Sequence, residues 1–142
     1  MKMEASSFPT TETGRQKATG AVLVCGAGVA GIQASLDLSA AGFHVYLVEN
    51  QAAVGGGMAR LDKTFPTGDC ATCIISPKLV ECMRDPNIDL LTMSDVVKLE
   101  GEPGQFKATV IQRPRYVDVD KCTMCGDCTA VCPISVQSQF DA

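Results

Sequence analysis

Cys122, Cys125, Cys128 and Cys132 stand in a C-x2-C-x2-C-x3-C-P run completed by Pro133. Thiolates are soft ligands suited to iron and inorganic sulfide, and so tight a spacing wraps backbone N–H groups around a cluster, as in bacterial ferredoxins. A [4Fe-4S] cluster is the expected cofactor. Zinc is the rival, but structural zinc sites usually use two cysteine pairs separated by a longer segment. In two-cluster ferredoxins the first three cysteines hold one cluster and the fourth holds its neighbour. Cys122, Cys125 and Cys128 are therefore expected to share one cluster, with Cys132 a second-cluster ligand. The sequence holds no second run, so the fourth thiolate is expected to come from elsewhere.

Gly26-Ala27-Gly28-Val29-Ala30-Gly31 is a G-x-G-x-x-G turn, the pattern of a dinucleotide site. Its first glycine permits a tight turn, its second lets a pyrophosphate approach the backbone, and its third lets helix and strand pack closely. N–H groups at the helix start, Val29 and Ala30 included, would then face the phosphates. Glu49, followed by Asn50, falls about 20 residues on, where an acid accepts hydrogen bonds from an unphosphorylated ribose. Gly55 and Gly56 follow in Val54-Gly55-Gly56-Gly57-Met58, a cluster that resembles the glycine extension of flavoproteins with two dinucleotide-binding domains. FAD is the expected nucleotide, with NAD the alternative. Cys70 and Cys73 form a further C-x-x-C with three readings: a redox dithiol, half of a metal site, or two inert thiols. Cys82 reads as core packing, or as a third ligand if its helix faces that loop. Cys25 reads as a small core thiol and His44 as a strand-edge histidine.

These residues need elements to place them. Ala21 to Cys25 is an unbroken apolar run of strand length, as expected of a parallel strand buried on both faces. Ile32, Leu36 and Ala40 recur at helical spacing from Val29 onward, and Gly42 supplies a stop. Val45 to Glu49 is a second strand. Strand, helix and strand make a right-handed βαβ unit with a parallel sheet, which puts the glycine turn at the sheet's carboxyl edge. The glycine-rich stretch from Gln51 to Thr72 is long enough to be a functional loop. Ser76 with Pro77 reads as a cap and first position of a helix to Arg84. Ile88 to Thr92 is a third strand, and Val96 to Glu100 with Phe106 to Gln112 a hairpin around a longer loop at Gly101 to Gly104. Arg113-Pro114 marks a boundary. The division expected is a disordered tail over 1–19, a partial Rossmann-type FAD-binding domain over 20–113 and a partial ferredoxin-like [4Fe-4S] motif over 114–142. The fold class is α/β: a Rossmann-type βαβ half-domain, a small β-hairpin region and an incomplete iron-sulfur module.

Composition agrees with an ordinary folded chain. The 142 residues are 46% hydrophobic, enough for a packed core. No run reaches the ~18 apolar residues of a membrane span, and residues 1–20 lack the apolar stretch of a signal peptide, so a cytoplasmic placement is expected. Eight cysteines in such a chain point to metal or redox chemistry rather than disulfides. The net charge of −4, without a Lys/Arg cluster, makes nucleic acid an unexpected partner.

Taken together, GAGVAGIQASLDLSAAGFHVYLVEN, GGGMARLDKTFPTGDCATCIISPKLVE and RYVDVDKCTMCGDCTAVCP closely resemble the A subunit of heterodisulfide reductase and its bacterial relatives. The segment from Leu61 to Pro66 contributes to the match although no generic flavoprotein motif requires it. The resemblance implies an electron-transfer oxidoreductase subunit, with FAD on Gly26, Gly28, Gly31, Glu49, Gly55 and Gly56, a cluster on Cys122, Cys125 and Cys128, and other redox subunits as partners. Two alternatives are a non-catalytic nucleotide- or cluster-binding module and an inactive truncated fragment. Three departures from the family stand out: Gly57 replaces the usual Arg after the glycine pair, with Arg60 a candidate substitute; the cysteine-bearing region that precedes the βαβ unit in methanogens is not seen; and the family continues for several hundred residues more.

Overall fold

The computed structural model describes residues 20–118 and 121–135; the expected tail, 1–19, lies outside the described residues. Strand β1 (Ala21–Cys25), helix α1 (Val29–Ala40) and strand β2 (His44–Val48) follow the expected order. After a short 3-10 turn at Met58–Arg60 come helix α2 (Ala71–Arg84) and strand β3 (Ile88–Leu91). The three strands form one parallel sheet in the order β1-β2-β3, with Ala21 opposite His44 and Val45 opposite Ile88. All three carboxyl ends therefore point to one edge, where the glycine turn begins.

Helix α1 stops at a Schellman-type cap. The Phe43 N–H donates to Leu38 O at 3.0 Å and the Gly42 N–H to Ser39 O at 2.9 Å, with Gly42 at a φ of 89° that glycine adopts without strain. The core lies between the helices and one sheet face: Ala27, Ile32, Val45, Leu47, Cys82 and Ile88, flanked by Val24, Leu36, Leu79 and Leu90. At the far end of the sheet, Ser39 Oγ donates to Asp85 Oδ2 at 2.6 Å and Asn87 N to Asp85 Oδ1 at 2.8 Å. Asp85 thus ties the end of α1 to the turn leading into β3.

Four expectations change. Strand β1 is only half-buried, with Ala21 and Cys25 exposed, because among the described strands it pairs on one edge alone; Cys25 is not a core thiol. His44 is buried at the start of β2, where Nε2 lies 2.9 Å from Asp89 Oδ2 and the ring stands edge-on to Tyr46. Helix α2 begins five residues before Ser76, at Ala71, and carries Pro77 inside it. Its start is decided by burial of Ala71 and Ile75, one turn apart on the inner face, which outweighs the proline's missing N–H. Finally, strands β4 (Ser94–Glu102) and β5 (Gln105–Gln112) pair antiparallel up to Glu102 opposite Gln105. The connection is thus the two residues Pro103 and Gly104, a tight turn in which Gly104 takes a φ of 90°. Beyond it, the described part of the cysteine run holds a single helical turn, α3 (Asp127–Ala130), entered through Gly126 at a φ of 87°.

Candidate functional site

At the carboxyl edge of the sheet the turn from Gly26 to Gly31 is held from three sides. The Gly26 N–H donates to Val48 O at 2.7 Å and the Gly55 N–H to Ala27 O at 2.7 Å, and Gly28 bridges to Gly55. Glu49, just past β2 and 8% exposed, closes the third side: Oε2 accepts from Ala27 N at 2.7 Å and Oε1 from Gln51 N at 2.8 Å. One carboxylate therefore fixes both the glycine turn and the loop after β2.

Two of the turn's three glycines, Gly26 and Gly31, are required by the fold itself, and Gly28 is not. Gly26 sits at a φ of 96°. A Cβ on Gly31 would lie 1.8 Å from Gly26 O, so helix and turn touch there. Gly28 has an ordinary φ of −75°, and a Cβ on it would meet nothing within 4 Å. It therefore borders open space at the mouth of α1, whose cap makes no side-chain hydrogen bond, while Val29 and Ala30 stand exposed in the first turn. A turn held rigid behind, with open space and helix N–H groups before it, fits a dinucleotide pyrophosphate. Across the turn, a Cβ on Gly56 would approach Gly28 Cα to 3.1 Å and one on Gly55 would sit 2.7 Å from Ala59 Cβ, so the second glycine cluster packs against the first. Gly57 is followed by the exposed Arg60, on the 3-10 turn. Asn50 is exposed, and its carbonyl accepts from Arg113 Nη2.

Sequence reasoning missed that arginine and its neighbour. Arg113 also meets Asp95 Oδ2 at 3.4 Å and donates its backbone N–H to Met93 O at 2.7 Å. Arg115 Nη2 reaches Ala52 O at 3.2 Å and Thr92 Oγ1. The segment leaving the hairpin is thus clasped to the loop that follows Glu49. The only local signal was two arginines around Pro114, which reads as a boundary and says nothing of a partner some sixty residues earlier.

Cys70 and Cys73 sit at the start of α2, both exposed. Cys70 is the N-cap, and its Sγ accepts the Cys73 N–H at 3.4 Å. Hydrogen bonding from the Cys73 side chain, then from its backbone, holds the Cys70 thiol below its ordinary value, and the same side-chain contact holds Cys73 above. Cys82 lies apart from them in the core; burial, then Asp85 and Glu81, pushes its thiol up.

Cys122, Cys125, Cys128 and Cys132 are all exposed, with left-handed backbone at Met124 and Gly126. Among the described residues no three Cys, His, Asp or Glu side chains stand close enough to hold a metal ion. The donor set itself, four accessible thiols on a short and turn-rich backbone, has the chemistry an iron-sulfur cluster takes.

An α/β unit with a parallel sheet and a glycine turn, followed by a ferredoxin-type cysteine run, defines a two-cofactor redox chain. Residues 115–136 match the family described as 4Fe-4S binding domain. The fold resembles the crystal structure of L-proline dehydrogenase from P. horikoshii, with a TM-score of 0.54 and 20% identity over 68% of this chain and 20% of that one. The chain is homologous to a segment of the A subunit of heterodisulfide reductase. It is 49% identical over 138 residues to the second iron-sulfur A subunit of CoB–CoM heterodisulfide reductase from Methanopyrus kandleri, covering 97% of this chain and 21% of that protein. The corresponding iron-sulfur A subunit of Methanocaldococcus jannaschii is 52% identical over 119 residues, covering 84% of this chain and 18% of its own length. The chain thus spans about a fifth of the length of these curated relatives. Among the described residues no helix is long and apolar enough to cross a membrane.

Proposed function

We propose that this chain supplies the adenine-dinucleotide and first-cluster part of an electron-transfer oxidoreductase subunit of the heterodisulfide reductase A type. The observation that carries this reading is the open space over Gly28 in a turn braced by Gly55 and Glu49. In it, the backbone of Gly26, Gly28, Val29, Ala30 and Gly31 would hold the FAD pyrophosphate, Glu49 and Asn50 the ribose, and Gly55 and Gly56 the flank of the phosphates. Cys122, Cys125 and Cys128 would ligate a [4Fe-4S] cluster, with Cys132 directed to a second. When bound, the flavin exchanges electron pairs and the cluster single electrons; the protein orients them and tunes their surroundings.

The corresponding division is a dinucleotide domain over 20–113 and a cluster motif over 114–142, with 1–19 as an appended tail. Other redox subunits of a heterodisulfide reductase-like complex would be its partners, in the cytoplasm. Gly28→Val tests the nucleotide half. Because its φ is ordinary and its Cβ meets no protein atom, the variant should fold with an unchanged melting temperature and retain cluster iron, yet lose FAD binding by titration calorimetry. Unchanged FAD affinity would place the pyrophosphate elsewhere. Tighter binding of NAD than of FAD would select the nicotinamide reading, and a preference for NADP would contradict the role given to Glu49, since a carboxylate disfavours a 2′-phosphate.

A further inference from the structure

We propose that Cys70 and Cys73 form a thiol–disulfide exchange site, with Cys70 the attacking sulfur and Cys73 the resolving one, acting on a disulfide presented at the N-terminal end of α2. The exchange requires neither cofactor position to be filled.

The geometry is that of a working dithiol rather than of two unrelated surface thiols. Cys70 occupies the N-cap in extended conformation, at a ψ of 115°, while Cys73 is already in the helix. That places the two sulfurs on one side of the first turn, with the Cys70 Sγ accepting the Cys73 N–H at 3.4 Å. Sulfur is a weak acceptor, and Ser, Thr, Asp or Asn would cap this helix better. Cys70 therefore sits where capping alone favours another residue. A sulfur at a helix start also gains from the helix dipole when it carries charge, as an attacking or departing sulfur does. The first turn itself carries no acidic residue, and the one opposing charge named at Cys70 is that of Asp62 on the neighbouring loop.

The platform beneath the sulfurs is fixed. The Thr64 N–H donates to Asp69 O at 2.9 Å and the Ala71 N–H to Asp62 O at 3.1 Å, Lys63 bridges to Cys70, and Ala71 and Ile75 anchor the helix in the interior. Two exposed thiols are thus held outward on a braced turn, open to a disulfide from solvent or from a partner's surface.

The chemistry balances within the pair and its substrate. The Cys70 sulfur, as thiolate, attacks one sulfur of R–S–S–R′, forming the Cys70–S–R bond as the S–S bond breaks and R′S⁻ leaves. Cys73, giving up its proton to the departing thiolate, then attacks the Cys70 sulfur and expels RS⁻. The substrate disulfide is reduced by two electrons to one thiol, R′SH, and one thiolate, RS⁻, and the dithiol is oxidised to the Cys70–Cys73 disulfide.

The peptide Thr64–Lys78, released by trypsin after Lys63 and Lys78, contains these two cysteines and no other. The full chain, purified anaerobically and reduced, is exposed to 5,5′-dithiobis(2-nitrobenzoate), quenched with N-ethylmaleimide and digested. The wild-type peptide should be two hydrogens lighter, free of both the aryl thiol and maleimide. Cys73→Ser should retain the aryl thiol on Cys70, whereas Cys70→Ser should carry maleimide and no aryl thiol on Cys73 at times when the wild type is fully oxidised. Two aryl adducts on the wild-type peptide, or equal reaction of the two single variants, would overturn the proposal. So would protection of both thiols by copurified iron that is lost on chelation, which would make the pair metal ligands. The wild-type result stands whether or not either variant folds.

Discussion

Glu49 braces the fold whether or not a ligand is bound. Its two oxygens accept from Ala27 N and Gln51 N, 22 and 2 residues away. In Glu49→Gln one of those N–H groups would face an amide N–H₂ donor, leaving a buried donor unsatisfied at about 1–3 kcal/mol. Urea unfolding of the nucleotide-free protein should therefore show a loss of that size, and an unchanged midpoint would mean that the contact to Ala27 does not hold in solution. The position of Glu49 as the acid after the second strand was legible from its distance to the glycine turn. Its inward hydrogen bond was not, since nothing in the local sequence distinguishes an acid reaching a ribose from one reaching the protein's own backbone. Gly31 is the converse: close packing is what the third glycine of the pattern implies, and the 1.8 Å approach to Gly26 O gives that implication its steric cause.

Among the elements, β1, α1 and β2 were legible because strand-length apolar runs flank a helical period and a glycine ends the helix. Helix α2 was legible at its end and misplaced at its start. Serine and proline side by side are the standard signature of a first turn, whereas a cysteine cap gives no such signature, and Pro77 is tolerated because the turn before it is held by Ala71 and Ile75. The hairpin was found but its loop was overestimated, since Gly101 and Glu102 remain paired with Phe106 and Gln105. Cys82 gives α2 a measurable pH dependence. Its folded value is raised, so the folded state keeps a proton that the unfolded state releases; the stabilisation is complete below the ordinary thiol value and is lost as pH rises through the raised one. Thermal melts across the alkaline range should show stability falling, and Cys82→Ala, though less stable at neutral pH from the lost packing, should fall less steeply. Parallel curves for the two proteins would show that Cys82 does not contribute.

For the whole molecule, Arg113 and Arg115 join the end of the hairpin to the loop after Glu49. Arg113→Ala with Arg115→Ala removes contacts to Asn50 O and Ala52 O that position this loop. Exposed arginines contribute on the order of 1 kcal/mol or less to stability, so the melting temperature should change little. The FAD dissociation constant should nevertheless rise about fivefold, the equivalent of 1 kcal/mol, because the freed loop must be ordered again on binding. A large drop in melting temperature with unchanged affinity would reverse that assignment. The hairpin itself is an excursion with no net displacement. Ser94 lies opposite Gln112 at its base, so the chain returns beside the strand it left, and every residue between them lengthens the ribbon without moving its ends. Excising Lys98 to Glu100 together with Lys107 to Thr109, matched stretches of the two arms, should therefore leave Arg113 on Met93 and the nucleotide affinity intact, and a weakened affinity would show that the ribbon presses on the site. The spacing between the two cysteine- and glycine-bearing segments is consequently set at the hairpin's root, and the ribbon's outward reach is free to change without altering it.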